Sequence, residues 1–350
     1  MPSPVRIGLI GCGSVLQGGY LPIALDLQAH GLADIRIACD TNPERADLTQ
    51  KFGIQTFTTD YHTVLDAADV DLVLVLTPPA FHAPIATAAL QAGKHVLLEK
   101  PMALSLPDAA ALVALAKTSP GILLCAPHIL LSRTYQEIHR ELNRGTIGTV
   151  FAARGICGHG GPDWGAWYYQ SGGGGPLFDL AVYNVTSLTG WLGPVRRVTA
   201  FTGTSVPERV IQGGTVQVTA EDNAQLLLDF GNAAFANITS SFTIQQYRDA
   251  TLELYGTRGT IRLQGDDWAP NGYDRWQLET KRWDHVEESA PAWSYLDGLR
   301  HLVHCIQTGT RPLITPEHAY HVLEILLKAR EASRTGKAQT IHSRFPALKI

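Results

Sequence analysis

Two rhythms of apolar residues divide this chain. Over the first third, short unbroken apolar runs at 5–10, 35–39, 72–76, 96–98 and 122–125 alternate with helical patterns. Runs without a polar alternate belong to strands buried on both faces, so the pattern predicts a parallel sheet covered on both sides by helices. Helix starts carry their own signals. Asn42 precedes Pro43 in "NPERADLTQKFG", and Ser105 precedes Asp108 ahead of "AAALVALAK", an N-cap and a capping-box pattern respectively.

Beyond Pro127 a helical segment, "LSRTYQEIHRELNRG", leads into runs with period two: "TVFAARGIC", "VRRVTAFTG", "NAQLLLDF", "AAFANITSSF", "ATLELYG" and "GTIRLQG". Alternation of this kind, with Gly231-Asn232 and "GTRG" as turns between runs, predicts a mostly antiparallel sheet. Three amphipathic segments, "PLFDLAVYNVTSLTGWLG", "AWSYLDGLRHLVHCIQTG" and "PEHAYHVLEILLKAREASRTG", are expected to cover one face. The other face would stay open and apolar, which favours association of copies into a homodimer or homotetramer. The fold class is therefore α/β followed by α+β: a Rossmann-type doubly wound domain at 1–126 and an open-faced antiparallel-sheet domain at 127–350.

Composition narrows the class. At 350 residues the chain exceeds one ordinary core. Basic and acidic residues number 28 and 32, giving a net charge of −4 with no basic stripe, which argues against a nucleic-acid partner. No apolar run approaches the ~18 residues of a membrane span. The first strand begins almost at once, so no signal peptide is expected. Five cysteines (Cys12, Cys39, Cys125, Cys157, Cys305) are scattered, without a C-x-x-C pair. They read as reduced core thiols of a cytoplasmic protein.

Candidate chemistry collects at strand ends. The first β–α turn, "GLIGCGSVLQGG", provides Gly11, Cys12, Gly13, Ser14 and Val15, a turn able to seat a pyrophosphate at a helix N-terminus. The third G-x-G-x-x-G position is Leu16, so the first helix should stand slightly away from the sheet unless Gly18 and Gly19 compensate. Asp40, closing the second strand, suits both ribose hydroxyls and repels a 2′-phosphate, favouring NAD; Arg45 nearby keeps NADP open. Thr77, Pro78 and Pro79 follow the run at 72–76, at the carboxyl end where open α/β sheets bind ligands. His82 either faces the cofactor or caps a helix. Glu99, Lys100 and Pro101 follow a buried run, where charge is costly unless solvated, paired or used.

Gly11-x-Gly13, Asp40, "TPPAFH", "AGKHVLLEKP" and "GGGGPLFDLAVY", in this order, resemble the Gfo/Idh/MocA oxidoreductases, the glucose–fructose oxidoreductase and inositol dehydrogenase relatives. The likeness runs from Val5 to about Gly336. It implies a bound nicotinamide dinucleotide and a sugar or polyol substrate, with Lys100 beside the reacting carbinol and a Lys–Pro bond open to the cis form. Asp179 and Tyr183, four apart, stand where the family usually has Asp and His. A subset resembling glucose–fructose oxidoreductase and dihydrodiol dehydrogenase carries Tyr there. In that reading Tyr183 transfers the proton, helped by the Lys100 ammonium, and Asp179 orients the sugar.

Several residues keep two readings. His128 either touches substrate or is a satisfied loop histidine. Trp164, Trp167 and Tyr168 either stack on a sugar face or pack at a domain interface. His301/His304 and His318/His321 lack completing ligands, so they read as solvated helix faces and no metal site is expected. Two alternatives accompany the dehydrogenase reading: glycoside cleavage with a recycled NAD, and, less favoured, a non-catalytic dinucleotide-binding regulator.

Overall fold

The structure, a computed structural model, describes residues 3–54, 56–290 and 292–348. The chain divides into two compact units. The first runs to His128 and takes back Leu296–Pro316; the second comprises Ile129–Tyr295 and the chain from Glu317.

In the first unit six parallel strands, β1 (Val5–Ile10), β2 (Ala33–Cys39), β3 (Thr56–Thr58), β4 (Leu72–Val75), β5 (His95–Leu98) and β6 (Leu123–Cys125), lie in the order β3-β2-β1-β4-β5-β6. The order reverses beside β1, between β1 and β4, which is where doubly wound sheets open a crevice for ligands. β4 and the apolar part of β5 are buried throughout, as unbroken apolar runs require. The edge strand β3 is short and half-polar and has no apolar run to announce it. Helices α1 (Leu21–Ala29), α2 (Asp47–Phe52), α3 (Tyr61–Asp66), α4 (His82–Gln91) and α5 (Leu106–Thr118) follow successive strands. Asn42 accepts from the Glu44 amide at 3.0 Å and Ser105 from the Asp108 amide at 3.2 Å, the caps that their spacing predicts.

The second unit carries α6 (Arg133–Asn143) and a nine-stranded sheet. Its strands are β7 (Val150–Gly158), β8 (Arg197–Gly203), β11 (Asn223–Gly231), β12 (Ala234–Ser241), β13 (Leu252–Gly256), β14 (Gly259–Asp266), β15 (Ala269–Gln277), β16 (Arg282–Val286) and β17 (Gln339–Thr340); β9 (Glu208–Ile211) and β10 (Gly214–Gln217) form a separate hairpin. The order is β16-β15-β14-β13-β7-β12-β11-β8-β17, antiparallel except for β7 with β12. The β11–β12 turn is centred one residue later than expected, on Asn232 and Ala233, both with positive φ. Helices α7 (Val182–Leu192) and α9 (Pro316–Thr335) lie in this unit, with α8 (Gly298–Thr308) between them in sequence.

Two expectations change here. Helix α8 packs on β1, β5 and α1 of the first unit rather than on the second sheet, so the stretch 127–350 is not one continuous body. The outward-pointing row of the large sheet is also less apolar than expected. Arg154, Glu253, Tyr255 and Arg262 form a charged and hydrogen-bonded ladder across β7, β13 and β14. Exposed apolar side chains remain in Phe201 of β8, Leu227 of β11 and Phe235 of β12 at the other end, and in Phe151 of β7 and Trp283 of β16. Period two alone records which face is polar on average, not which polar groups neutralise one another across strands.

All five cysteines are buried and unbridged. Burial pushes the Cys12 and Cys125 thiols up to about 12, as inert core residues. No described helix is long and apolar enough to cross a membrane.

Candidate active site

The first unit brings one group of predicted residues to the carboxyl ends of its strands. The Gly11 amide bonds the Cys39 carbonyl at 2.8 Å, and its φ of +95° is the left-handed conformation that favours glycine. A Cβ there would stand 2.7 Å from the Leu76 carbonyl, whereas around Gly13 nothing lies within 4 Å. The turn is thus tight on the sheet side and bare at Gly13.

Leu16 is buried, and the chain accommodates it by opening the helix with a π-helical turn over Leu16–Tyr20. Gly18 touches nothing on the side a Cβ would occupy, while Gly19 makes room for Leu296.

Asp40 ties two turns together. Its Oδ2 accepts from the Cys12 amide at 2.7 Å and its Oδ1 from the Asn42 amide at 2.9 Å. Each oxygen retains a second lone pair, so a ribose hydroxyl can still be accepted. The carboxylate is thereby aimed at the glycine turn, and it also shapes the turn ahead of α2.

His82 opens α4 and is buried. Its Nδ1 lies 2.7 Å from the Pro101 carbonyl and its Nε2 2.7 Å from the Thr77 carbonyl. A neutral ring donates from only one nitrogen, and burial pushes this imidazole below its usual range. The side chain neither caps the helix nor lies open; it links the turn after β4 to the turn after β5. The Thr77 hydroxyl is buried without a hydrogen-bond partner among the described residues, a polar atom suited to a ligand.

Glu99 is held by the Tyr20 hydroxyl at 2.8 Å and accepts from the Lys100 amide at 3.1 Å. The Lys100–Pro101 bond is cis, as is Ala126–Pro127. The charge closing β5 is therefore both paired and half-exposed. His128 is fully buried, its ring against Gly298 at the start of α8, where a Cβ would come within 2.2 Å.

The second unit assembles the other group. The glycine run before the candidate catalytic helix is forced by close approach: a Cβ on Gly174 would stand 2.4 Å from the Trp167 carbonyl, and one on Gly175 would stand 2.5 Å from Glu221. Arg330 of α9 secures it, bonding the Gly174 carbonyl at 2.6 Å and both Glu221 oxygens while lying 4.3 Å over the Phe178 ring. The chain then enters a π-helical turn, Leu177–Ala181, that carries half-buried Asp179, and continues as α7 with Tyr183 at its second position. Single π-turns recur at functional sites because they re-aim side chains.

Tyr183 is buried and meets Trp268 at 6.0 Å and Tyr295 at 6.3 Å, edge-on in both cases. Trp167 stacks on Tyr168 at 3.7 Å, and Trp164, more than half exposed, stands edge-on to Tyr168 at 5.9 Å. Trp167 and Trp268 pack on the same cluster as Cys157, Leu180 and Phe242. Trp268 and Tyr295 escaped sequence reading, since both sit in irregular chain, Trp268 in the β14–β15 turn and Tyr295 ahead of α8, inside a stretch expected to be helical.

Sequence comparison decides the affiliation. The first part, residues 5–126, matches an oxidoreductase family with an NAD-binding Rossmann fold, and residues 135–262 match the GFO/IDH/MocA C-terminal domain. The chain is 30% identical over 265 residues to the dTDP-3,4-didehydro-2,6-dideoxy-α-D-glucose 3-reductase of Saccharopolyspora spinosa, covering 75% of each.

The chain belongs to the Gfo/Idh/MocA oxidoreductase family. This Gfo/Idh/MocA chain is also 27% identical over 292 residues to the levoglucosan dehydrogenase of Pseudarthrobacter phenanthrenivorans, 73% of each chain being covered. A levoglucosan dehydrogenase solved in complex with NADH superposes with a TM-score of 0.85 over 97% of this chain and 100% of that one, at 21% identity, which speaks for a common fold. As in other Gfo/Idh/MocA oxidoreductases, the Rossmann unit is an NAD-binding domain. Its bare Gly13, the buried Thr77 hydroxyl and the acceptor Asp40 fit that dinucleotide.

Proposed function

We propose that this oxidoreductase moves a hydride between NAD and a carbinol carbon of a sugar, polyol or sugar derivative. The observation that carries the reading is the pair formed by a dinucleotide-type turn under Asp40 and a separate aromatic, hydroxyl-bearing site around Tyr183. Relatives named for levoglucosan, myo-inositol and a dTDP-sugar support the substrate class.

Gly11, Cys12, Gly13, Ser14 and Val15 would hold the pyrophosphate, Asp40 the ribose, and Thr77, Pro78, Pro79, Glu99, Lys100 and Pro101 the nicotinamide end, with His82 bracing those last two turns. The bound dinucleotide supplies the hydride acceptor. Tyr183 takes the hydroxyl proton as the carbinol becomes a carbonyl, and returns it in the reverse direction. Lys100 supplies positive charge at the reacting oxygen, and Asp179 accepts from a neighbouring hydroxyl to set the sugar's orientation. Trp164, Trp167 and Tyr168 stack on the apolar face of the ring, and His128 shapes the floor where β6 ends. We further propose that two copies associate through the Phe201, Leu227 and Phe235 end of the large sheet.

The deciding experiment follows nicotinamide absorbance with NAD and NADP separately, across aldoses, polyols, inositols and glycosides, beside Lys100→Ala and Tyr183→Phe. Turnover that falls at least ~100-fold in both variants is expected. Full turnover in Tyr183→Phe sinks the proton-transfer role. Silence throughout, with NAD bound, would replace the dehydrogenase by recycled-NAD glycoside cleavage or a dinucleotide-binding regulator.

A further inference from the structure

Asp267 lies in the turn between β14 and β15 and is fully buried. Its Oδ2 accepts from the Asn184 side-chain amide, and its backbone carbonyl accepts from the Tyr135 hydroxyl of α6 at 2.9 Å. Its Oδ1 has no partner among the described residues, and neither has Asn184 Oδ1. Other buried acids of this unit are provided for. Asp222 takes bonds from Ser205, Val206 and Arg209, and Glu141 pairs with Arg275. No arginine, lysine or histidine pairs with Asp267 among the described residues.

The neighbours of Asp267 and Asn184 give this pair its importance. Asn184 follows Tyr183 on α7, and Trp268 follows Asp267 in the turn. The Asn184–Asp267 bond and the edge-on Tyr183–Trp268 contact therefore close a small ring through two peptide links. Gly155 of β7 leaves the room: a Cβ there would stand 2.8 Å from Asn184 Oδ1. We infer that Asp267 is a positioning residue that, through Asn184, sets Tyr183 against Trp268; the inference rests on the role proposed for Tyr183.

The charge state follows from the surroundings. From the turn itself Asp266 faces Asp267, from α7 Asn184, from α6 Tyr135, while the Tyr247 hydroxyl reaches Asp266 at 3.5 Å. None of these is a cation. Burial, reinforced by Asp266, pushes the Asp267 carboxyl well above the usual range. The Asn184 side-chain amide and Asp267 Oδ2 thereby form a buried hydrogen-bonded pair that ties α7 to the β14–β15 turn. Such a pair holds direction as well as distance, and a reacting group displaced by ~1 Å can cost about 100-fold in rate.

The test is steady-state kinetics with a pH–rate profile on a substrate from the panel, for Asp267→Asn, Asp267→Leu and Asn184→Ala, each checked for folding by circular dichroism. Asp267→Asn, which keeps the shape and an acceptor oxygen for the Asn184 amide, is expected to keep kcat within about 3-fold and leave the profile unmoved. Asp267→Leu and Asn184→Ala should lower kcat by roughly 10- to 100-fold and shift the profile, with KM for NAD unchanged. Should Asp267→Leu fail to fold, Asn184→Ala carries the comparison. Wild-type kcat in Asn184→Ala, or equal damage from Asp267→Asn and Asp267→Leu, overturns the inference while Tyr183→Phe remains inactive. An active Tyr183→Phe removes the proton-transfer role, and the inference with it.

Discussion

At the scale of single residues, hydrogen-bond partners change several meanings that position alone suggests. Asp40 accepts from two backbone amides, one of them in the glycine turn, so its carboxylate is structural and available to a ribose at once. Replacing it by Ser should lower kcat/KM for NAD at least ~10-fold relative to NADP, since a charged hydrogen bond contributes about 1.5–3 kcal/mol and the repulsion of a 2′-phosphate disappears. Comparing the two cofactors in Asp40→Ser checks this; an unchanged preference would assign Asp40 to turn-shaping alone. His82 is informative in the opposite way. Its sequence position allowed a cofactor contact or a helix cap; its ring lies 2.7 Å from each of two backbone carbonyls, those of Pro101 and Thr77.

At the scale of elements, both candidate site helices begin with a π-turn, at Leu16–Tyr20 and Leu177–Ala181. Neither is legible in the residue pattern, because one extra residue in a turn leaves composition untouched and is settled by what the side chains must reach. The same holds for α9. Its His318 and His321 read as solvated but are buried. His318 pairs with Thr189 at 2.7 Å, while His321 accepts from the Val195 amide at 3.0 Å and meets Ser343 at 2.8 Å. Both rings pack against Phe345 of the C-terminal segment.

Burial holds His318 near about 3 and His321 near about 4, so the folded protein refuses protons that the unfolded chain accepts below roughly 6.5. Above pH 7 both states are neutral and no proton-linked contribution exists. As pH falls from about 6.5 towards about 4, stability should drop, by on the order of 2 kcal/mol per histidine at pH 5. Thermal midpoints of the wild type and His321→Gln at pH 7.5 and 5 check this. An acid-induced loss undiminished in the variant would assign it to other groups.

At the scale of the whole molecule, the return of Leu296–Pro316 to the first unit makes that unit discontinuous in sequence. No local pattern encodes this, because α8 is an ordinary amphipathic helix whose apolar face suits either sheet. The exposed Phe201, Leu227 and Phe235 form the apolar end of an otherwise charged sheet face. On the association proposed for this end of the sheet, Phe201→Glu with Phe235→Glu should lower the mass measured by light scattering towards that of one chain while leaving the circular dichroism unchanged. An unchanged mass would overturn that proposal.

What the chain alone determined is whatever repeats locally. Unbroken apolar runs marked five of the six parallel strands, alternation marked the central strands of the second sheet, and the glycine turn, Asp40 and "EKP" marked turns at the carboxyl ends of the first sheet. These depend on burial period and backbone freedom, which neighbouring residues express by themselves. The edge strands β3, β16 and β17, strand β15, the β9–β10 hairpin, the destination of α8, the aromatic partners Trp268 and Tyr295, and the buried Asn184–Asp267 pair came only with the tertiary structure. Each depends on groups far apart in sequence. A polar side chain is read as solvated until distant residues enclose it, and only the fold decides which ones are enclosed.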